Sequence, residues 1–148
     1  MGQRRIAVLC KDVMSKNVRT SPKDGTASSC AKIMEKENVG LLPVVNARGK
    51  VIGVVTDRDL ALRVLAAGKA AKTPIGSVMT SALVTCGPEE DLHVAEDRMC
   101  KAKKSRILVL DEDGKCAGVI SLSDIGRVEE RPRAGQVLGS VAKREASP

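Results

Sequence analysis

The feature that most constrains this chain is an internal repeat. Val13-Met14-Ser15 returns as Val78-Met79-Thr80, an offset of 65 positions (13 to 78). The same offset, without an insertion, carries Thr20 to Thr85, Met34 to Met99, Val44 to Val109, Gly49-Lys50 to Gly114-Lys115, Gly53-Val54 to Gly118-Val119 and Asp59 to Asp124. Register held this far marks one structural unit used twice. The repeat divides the chain into a first domain at 9–68, a linker at 69–73, a second domain at 74–131 and a basic tail at 132–148. With Pro132, Gly135 and Pro148, the tail is expected to be mobile, apart from one helical turn at Val137, Leu138 and Val141.

Each copy reads as β-α-β-β-α. Val18-Arg19-Thr20 and Leu83-Val84-Thr85 are short extended segments. A helix follows, N-capped by Thr26 or Asp91. Ala27, Cys30, Ala31 and Met34 fall on one helical face, and Leu92, Ala95 and Met99 hold equivalent places. Two apolar strands come next, 41–45 and 51–55, matched by 107–110 and 116–120. Their continuous apolar character predicts burial on both faces under helices. A last helix runs from Asp57 through Leu60–Leu65 to a C-cap at Gly68, and its counterpart begins around Ser123. A unit of about 55 residues buries too little surface to stand alone. The expected fold is therefore α/β (α+β), two repeats packed about a pseudo-twofold axis.

Composition narrows the function classes. The net charge of +7 favours anionic partners. The aromatic content is 0%, so the stacking platforms of single-strand binding are missing and nucleic acid gains no support. Five cysteines without a C-x-x-C pair fit neither a disulfide scaffold nor a thiolate zinc site. His93, the single histidine, reads as a surface or capping residue, so no metal site is expected. No apolar run approaches the roughly 20 residues of a membrane span, and the first residues do not form a signal peptide, which points to the cytoplasm. No phosphate loop or nucleophile–base pair stands out. Glu89-Glu90-Asp91 and Glu96-Asp97 gather round one helix start, where the helix dipole accounts for them. No catalytic residue is expected.

The segment that carries chemistry is Gly53-Val54-Val55-Thr56-Asp57-Arg58-Asp59, repeated as Gly118-Val119-Ile120-Ser121-Leu122-Ser123-Asp124. Hydroxyl-x-x-Asp before a helix is the pattern of a capping box. It also suits a nucleotide: the aspartate accepts bonds from both ribose hydroxyls, and the helix start favours a phosphate. The leading glycine permits close approach of backbone or ligand to the strand. Capping and binding are compatible.

In order along the chain, Val13-Met14, Val18-x-Thr20-x-Pro22, Leu42-Pro43-Val44-Val45, Gly49-Lys50 and Gly53 through Leu60 resemble the CBS-domain family, whose paired form is the Bateman module. The resemblance covers about residues 9–130. It implies a non-enzymatic regulatory pair holding adenosine-containing ligands in clefts between its halves. By carry-over, Asp59 takes the ribose hydroxyls and Thr56 a phosphate or ribose oxygen. Val18, Thr20, Leu42 and Pro43 line the adenine pocket, with backbone near Arg19 reading the base edge. Asp124, Ser121, Leu83, Val84 and Thr85 take those parts in the second site. Arg58 either pairs with a phosphate or is a solvated helix-start arginine, and Arg106 either reaches a cleft or belongs to a solvated basic run. Because Leu108 and Ser123 replace Pro43 and Arg58, the sites are expected to be unequal, the Asp59 site being the favoured one.

The implied ligands are AMP, ADP or ATP, with S-adenosylmethionine, NAD and a cyclic dinucleotide also open; no covalent cofactor is implied. The resemblance further implies a homodimer meeting through the Leu60–Leu65 helix and a separate regulated protein. The competing reading is a basic scaffold for protein or nucleic acid whose ligand sites are vestigial.

Overall fold

The structure, a computed structural model, describes residues 6–143. The first five residues and the end of the tail, 144–148, lie outside the described residues. The elements in order are α1 (Cys10–Val13), β1 (Ser21–Pro22), α2 (Ala27–Glu37), β2 (Leu41–Val45), β3 (Val51–Thr56), α3 (Asp57–Asp59) continuing as a π-helical stretch (Leu60–Leu65), and a 3-10 turn (Ile75–Ser77). Then follow β4 (Thr85–Cys86), α4 (Leu92–Ala102), β5 (Arg106–Leu110), β6 (Cys116–Ser121), α5 (Leu122–Val128) and α6 (Arg131–Ala142). The repeated strand–helix order is thus present in both copies. No helix among the described residues is long and apolar enough to cross a membrane.

The chain forms two compact units, and their boundaries are not those of the repeats. One unit comprises Val18–Leu83 with Asp113–Cys116; among the described residues, the other takes 6–17, Val84–Glu112 and 117–143. The opening of each repeat has therefore changed sides. Val78-Met79-Thr80 serves the unit built on the first repeat, and Cys10–Ser15 serves the unit built on the second.

In the first-repeat unit the sheet order is β1-β2-β3. β1 pairs parallel with β2 through Ser21–Val44 and Pro22–Val45, and β2 pairs antiparallel with β3 from Leu41–Thr56 to Val45–Val51. β2 has three consecutive buried residues, as the apolar run predicts. β3 instead alternates buried and half-buried positions, and so does the end of β6. An outer strand of a three-stranded sheet has only one covered face, which corrects the expectation of burial on both.

Helix α2 shows why sequence and fold agree at its start. Its first donors have no intrahelical acceptors. Thr26 Oγ1 accepts from Ser29 N–H at 3.0 Å, while Ala27 and Ser28 donate to the linker carbonyls of Thr73 and Ala71 at 2.9 and 3.0 Å. The helix ends at Asn38, in the left-handed region at φ 52. Thr26→Ala is expected to lower stability by about 1 kcal/mol. An unchanged urea midpoint would show that the linker carbonyls alone hold the helix start.

The core beneath it is aliphatic and sulfur-bearing: Cys30, Leu42, Val44, Val55 and Ile75 are all fully buried. The last helix of the repeat is one α-turn followed by a π-helical stretch, where an unbroken α-helix was expected. It ends at Leu65 with Ala66 as its C-cap, two residues before the expected Gly68, which at φ 70 lies in the following turn, where Lys69 N–H reaches back to the Val64 carbonyl at 2.8 Å.

The second-repeat unit repeats the plan with order β4-β5-β6. Its core contains Cys10, Leu92, Ala95, Met99, Ile107, Val109, Ile120, Ile125 and Val137. The last of these overturns the expectation of a mobile tail. Arg131–Ala142 is a three-turn helix with Pro132 in its first turn, and Val137 and Val141 are each 2% exposed. The apolar pattern there is thin, and the core it meets comes from distant parts of the chain.

Candidate functional site

Both copies of the hydroxyl-x-x-Asp motif fold as capping boxes at the junction of an outer strand and a helix. In the first-repeat unit, Thr56 Oγ1 accepts from Asp59 N–H at 3.1 Å and Asp59 Oδ2 accepts from Thr56 N–H at 3.0 Å. The Asp59 carboxylate has two further partners. The Thr80 hydroxyl donates to it at 3.3 Å, and Arg63 Nε lies 3.6 Å from Oδ1. Arg63 Nη1 also donates to the carbonyls of Val78 and Met79, both at 3.1 Å. The Asp59 side chain is only 12% exposed, so the acceptor is held in a fixed orientation.

The second-repeat unit holds Asp124 in the same way. Ser121 N–H and the Ser121 hydroxyl both donate to Asp124 Oδ2, at 2.9 and 3.0 Å, and Arg127 Nη1 is 3.2 Å from Oδ1. The arginine stands at i+3 here and at i+4 in the first copy, the register difference expected where one helix is α and the other turns into a π-helix. Sequence reasoning missed Arg63, Arg127 and Thr80. The arginines were visible as i+3 and i+4 neighbours of the aspartates. Thr80 was not, because nothing local joins it to Asp59.

Glycine at the head of each motif serves the backbone. A Cβ on Gly53 would lie 2.6 Å from Met79 Sδ and 2.9 Å from the Thr80 carbonyl. On Gly118 it would lie 2.6 Å from Met14 Sδ and 2.8 Å from the Ser15 carbonyl. Antiparallel bridges Val54–Thr80 and Ser15–Val119 explain these approaches. The exchanged openings thus fit against the strand that ends in each motif.

The register gathers the other first-site residues. Leu42 and Pro43 are buried in β2, and one step back from the Ser21–Val44 pair sets Thr20 beside Pro43. Val18 and Thr20 are half-buried, while Arg19 is exposed and pairs with Glu37 at 3.1 Å. Arg58 is exposed, and the cation that reaches the aspartate is Arg63. In the second copy Thr85 pairs with Leu108, and Leu108 N–H donates to the Val84 carbonyl at 3.2 Å. Arg106 is exposed at the start of β5. Leu83 falls in the first-repeat unit, apart from Val84 and Thr85.

A family model described as the CBS domain matches residues 10–66 and again 75–129. The chain is similar to the CBS domain-containing protein YhcV of Bacillus subtilis (strain 168), 35% identical over 115 residues that span 78% of this chain and 81% of that one. Among solved structures it is similar to the CBS domain pair of protein MJ0100 in complex with 5-methylthioadenosine and S-adenosyl-L-methionine. There the identity is 30% and the TM-score 0.75, over 83% of this chain and 96% of that one. The fold is also shared with CBS domain protein PAE2072 from Pyrobaculum aerophilum, complexed with AMP, at 22% identity and TM-score 0.75 over 89% and 99% of the two chains. With one strand–glycine–cap–helix unit built twice and the family matched over both copies, this chain belongs to the CBS domain family, in its tandem-pair form.

Proposed function

We propose that the chain is a regulatory module without catalytic activity, which binds an adenine nucleotide and passes its ligand state to a partner protein. The observation that carries this reading is the twice-built aspartate. Each stands in the first turn of a helix, oriented by its cap, where two ribose hydroxyls can donate to it and a phosphate can meet backbone N–H groups. The ligands named for the MJ0100 pair and for PAE2072 are all adenosine derivatives, which supports the class.

The two sites are unequal in this reading. In the second copy the Val84 carbonyl already accepts from Leu108 N–H. Proline has no N–H, so Pro43 cannot make the matching bond to the Arg19 carbonyl. That carbonyl keeps an acceptor position for the amino group of adenine, and the Asp59 site is the one occupied first. Leu62 and Leu65, 50% and 79% exposed on the π-helical stretch, offer a contact surface for a homodimer. In a homodimer, ligand binding acts on a partner only through a differential affinity for two states of the assembly.

Calorimetric titration with AMP, ADP, ATP and S-adenosylmethionine tests the proposal. At least one is expected to bind saturably. Asp59→Asn, which keeps an acceptor for the cap, is expected to weaken that binding about 10- to 100-fold, the value of a charge-assisted hydrogen bond or two. Asp124→Asn should cost less, and an equal loss would refute the inequality. Folded protein that gives no heat with any of the four sinks the nucleotide reading. Steeply salt-dependent binding of polyanions regardless of adenosine would then favour the basic scaffold.

A further inference from the structure

Away from both aspartate sites, the second-repeat unit gathers His93, Glu96 and Glu129, each offering one donor atom, with all three within 4.8 Å of one another. His93 and Glu96 share a face of α4, and Glu129 caps the end of α5. His93 Nε2 lies 3.1 Å from Glu129 Oε2 and 3.8 Å from Glu96 Oε1. Donors at about 2.0–2.2 Å around a tetrahedral metal ion stand roughly 3.3 Å apart, close to the 3.1 Å between His93 and Glu129.

The outer partners are arranged as metal sites require. Arg133 Nε donates to Glu96 Oε1 at 2.7 Å, and Glu130 N–H donates to Glu129 Oε1 at 3.1 Å. Each carboxylate therefore has one oxygen anchored from outside. Arg133 Nη2 also donates to the His93 carbonyl at 3.4 Å and to Asp97 Oδ1 at 3.0 Å.

The inner atoms are left over. Glu96 is 0% exposed, yet its Oε2 has no hydrogen-bond partner, and neither has the buried His93 Nε2. A buried carboxylate oxygen without a partner is costly. A hydrogen bond between the Glu96 and Glu129 carboxyl groups is the arrangement that satisfies the pair without a metal. Glu96 and the exposed Asp97 share one guanidinium, Arg133.

We propose that His93, Glu96 and Glu129 form a binding site for a divalent transition-metal ion such as Zn²⁺, bound through His93 Nε2 and one oxygen of each glutamate. Water completes the coordination. One imidazole and two carboxylates suit borderline ions of this kind better than Mg²⁺, which demands an octahedral oxygen shell.

The test is calorimetric titration of tag-free, metal-stripped protein with Zn²⁺ alone, without nucleotide. Wild-type protein is expected to take up one equivalent that is lost, or weakened at least ~10-fold, in both His93→Ala and Glu129→Gln. Any zinc held by cysteines persists in both variants and so is told apart. A second reading uses Co²⁺ on unmutated protein, so it does not depend on the variants folding: visible d–d bands without thiolate charge transfer are expected. Two results overturn the proposal: no uptake by the wild type, which would leave a proton as the cluster's cation, or uptake unchanged in both variants.

Discussion

A chain stopped after Glu130 is expected to lose the cooperative unfolding of the second-repeat unit. Helix α6 covers that unit's core with Val137 and Val141, both almost fully buried. Removing each valine forfeits about 1.5–3 kcal/mol of burial. Arg133 leaves with them, and stripping the partner from a buried carboxylate costs up to about 3–5 kcal/mol. Protonation of Glu96, already raised to about 7, reduces that last figure at neutral pH. The total still rivals the ~5–15 kcal/mol that holds a whole domain. Urea denaturation followed by far-ultraviolet circular dichroism reads the outcome, since the chain has no Trp or Tyr. A truncated protein with the full-length midpoint would mean that α6 is an ornament on a finished unit. The double variant Val137→Ala, Val141→Ala separates the two causes, because it keeps Arg133 and should fall by only part of the amount.

Gly53→Val is the second large effect, and here two arguments point in opposite directions. Valine is a better strand residue than glycine, so propensity alone predicts a gain. Packing predicts a loss. The new Cβ would meet Met79 Sδ at 2.6 Å and the Thr80 carbonyl at 2.9 Å. Met79 can swing away; the carbonyl cannot, without breaking Val54 N–H to Thr80 O at 2.9 Å and Thr80 N–H to Val54 O at 2.8 Å. Overpacking at ~1–3 kcal/mol, plus two hydrogen bonds at ~0.5–1.5 each, gives an expected loss of about 2–6 kcal/mol. The same displacement takes the Thr80 hydroxyl away from Asp59, so nucleotide affinity at the proposed first site should fall with it. Gly139→Ala is the control. It lies in α6 with nothing within 4 Å of the added methyl, and should gain about 0.5–1 kcal/mol. Stability unchanged in Gly53→Val would mean that the strand and the Met79-Thr80 turn do not touch in solution.

The repeat made most of the fold legible, because each copy carries its own periodicities, caps and turns. What a repeat cannot convey is which copy packs with which. Val13-Met14 is followed by its own repeat, and sequence reads it with that repeat; in the fold it lies on β6. The difference rests on a glycine a long way down the chain, and no local pattern encodes it. Helix α6 was obscure for a related reason. Its apolar residues are few, Gly135 and Gly139 interrupt them, and Leu138 is 56% exposed. Only a core assembled from elsewhere turns Val137 and Val141 inward. At the motif itself the residue types were readable, and so was the capping box. The aspartate's remaining partners depended on helix register and on a hydroxyl 21 residues away. His93 looks solitary in sequence because no second histidine is present, and the glutamate three residues on belongs to an acidic group that the helix dipole accounts for.

The exchanged openings also set a timetable for the molecule as it is made. Everything the first-repeat unit takes from Val18 to Leu83 emerges as one nearly continuous stretch. Ser15 pairs with Val119, about a hundred positions later, and at roughly 5–20 residues per second its partner strand is delayed by about 5–20 s. A mixed domain of this size folds in well under that time. Synthesis, not the folding barrier, therefore decides when the second-repeat unit can close. Until then the apolar turn around Cys10, Val13 and Met14 travels uncovered.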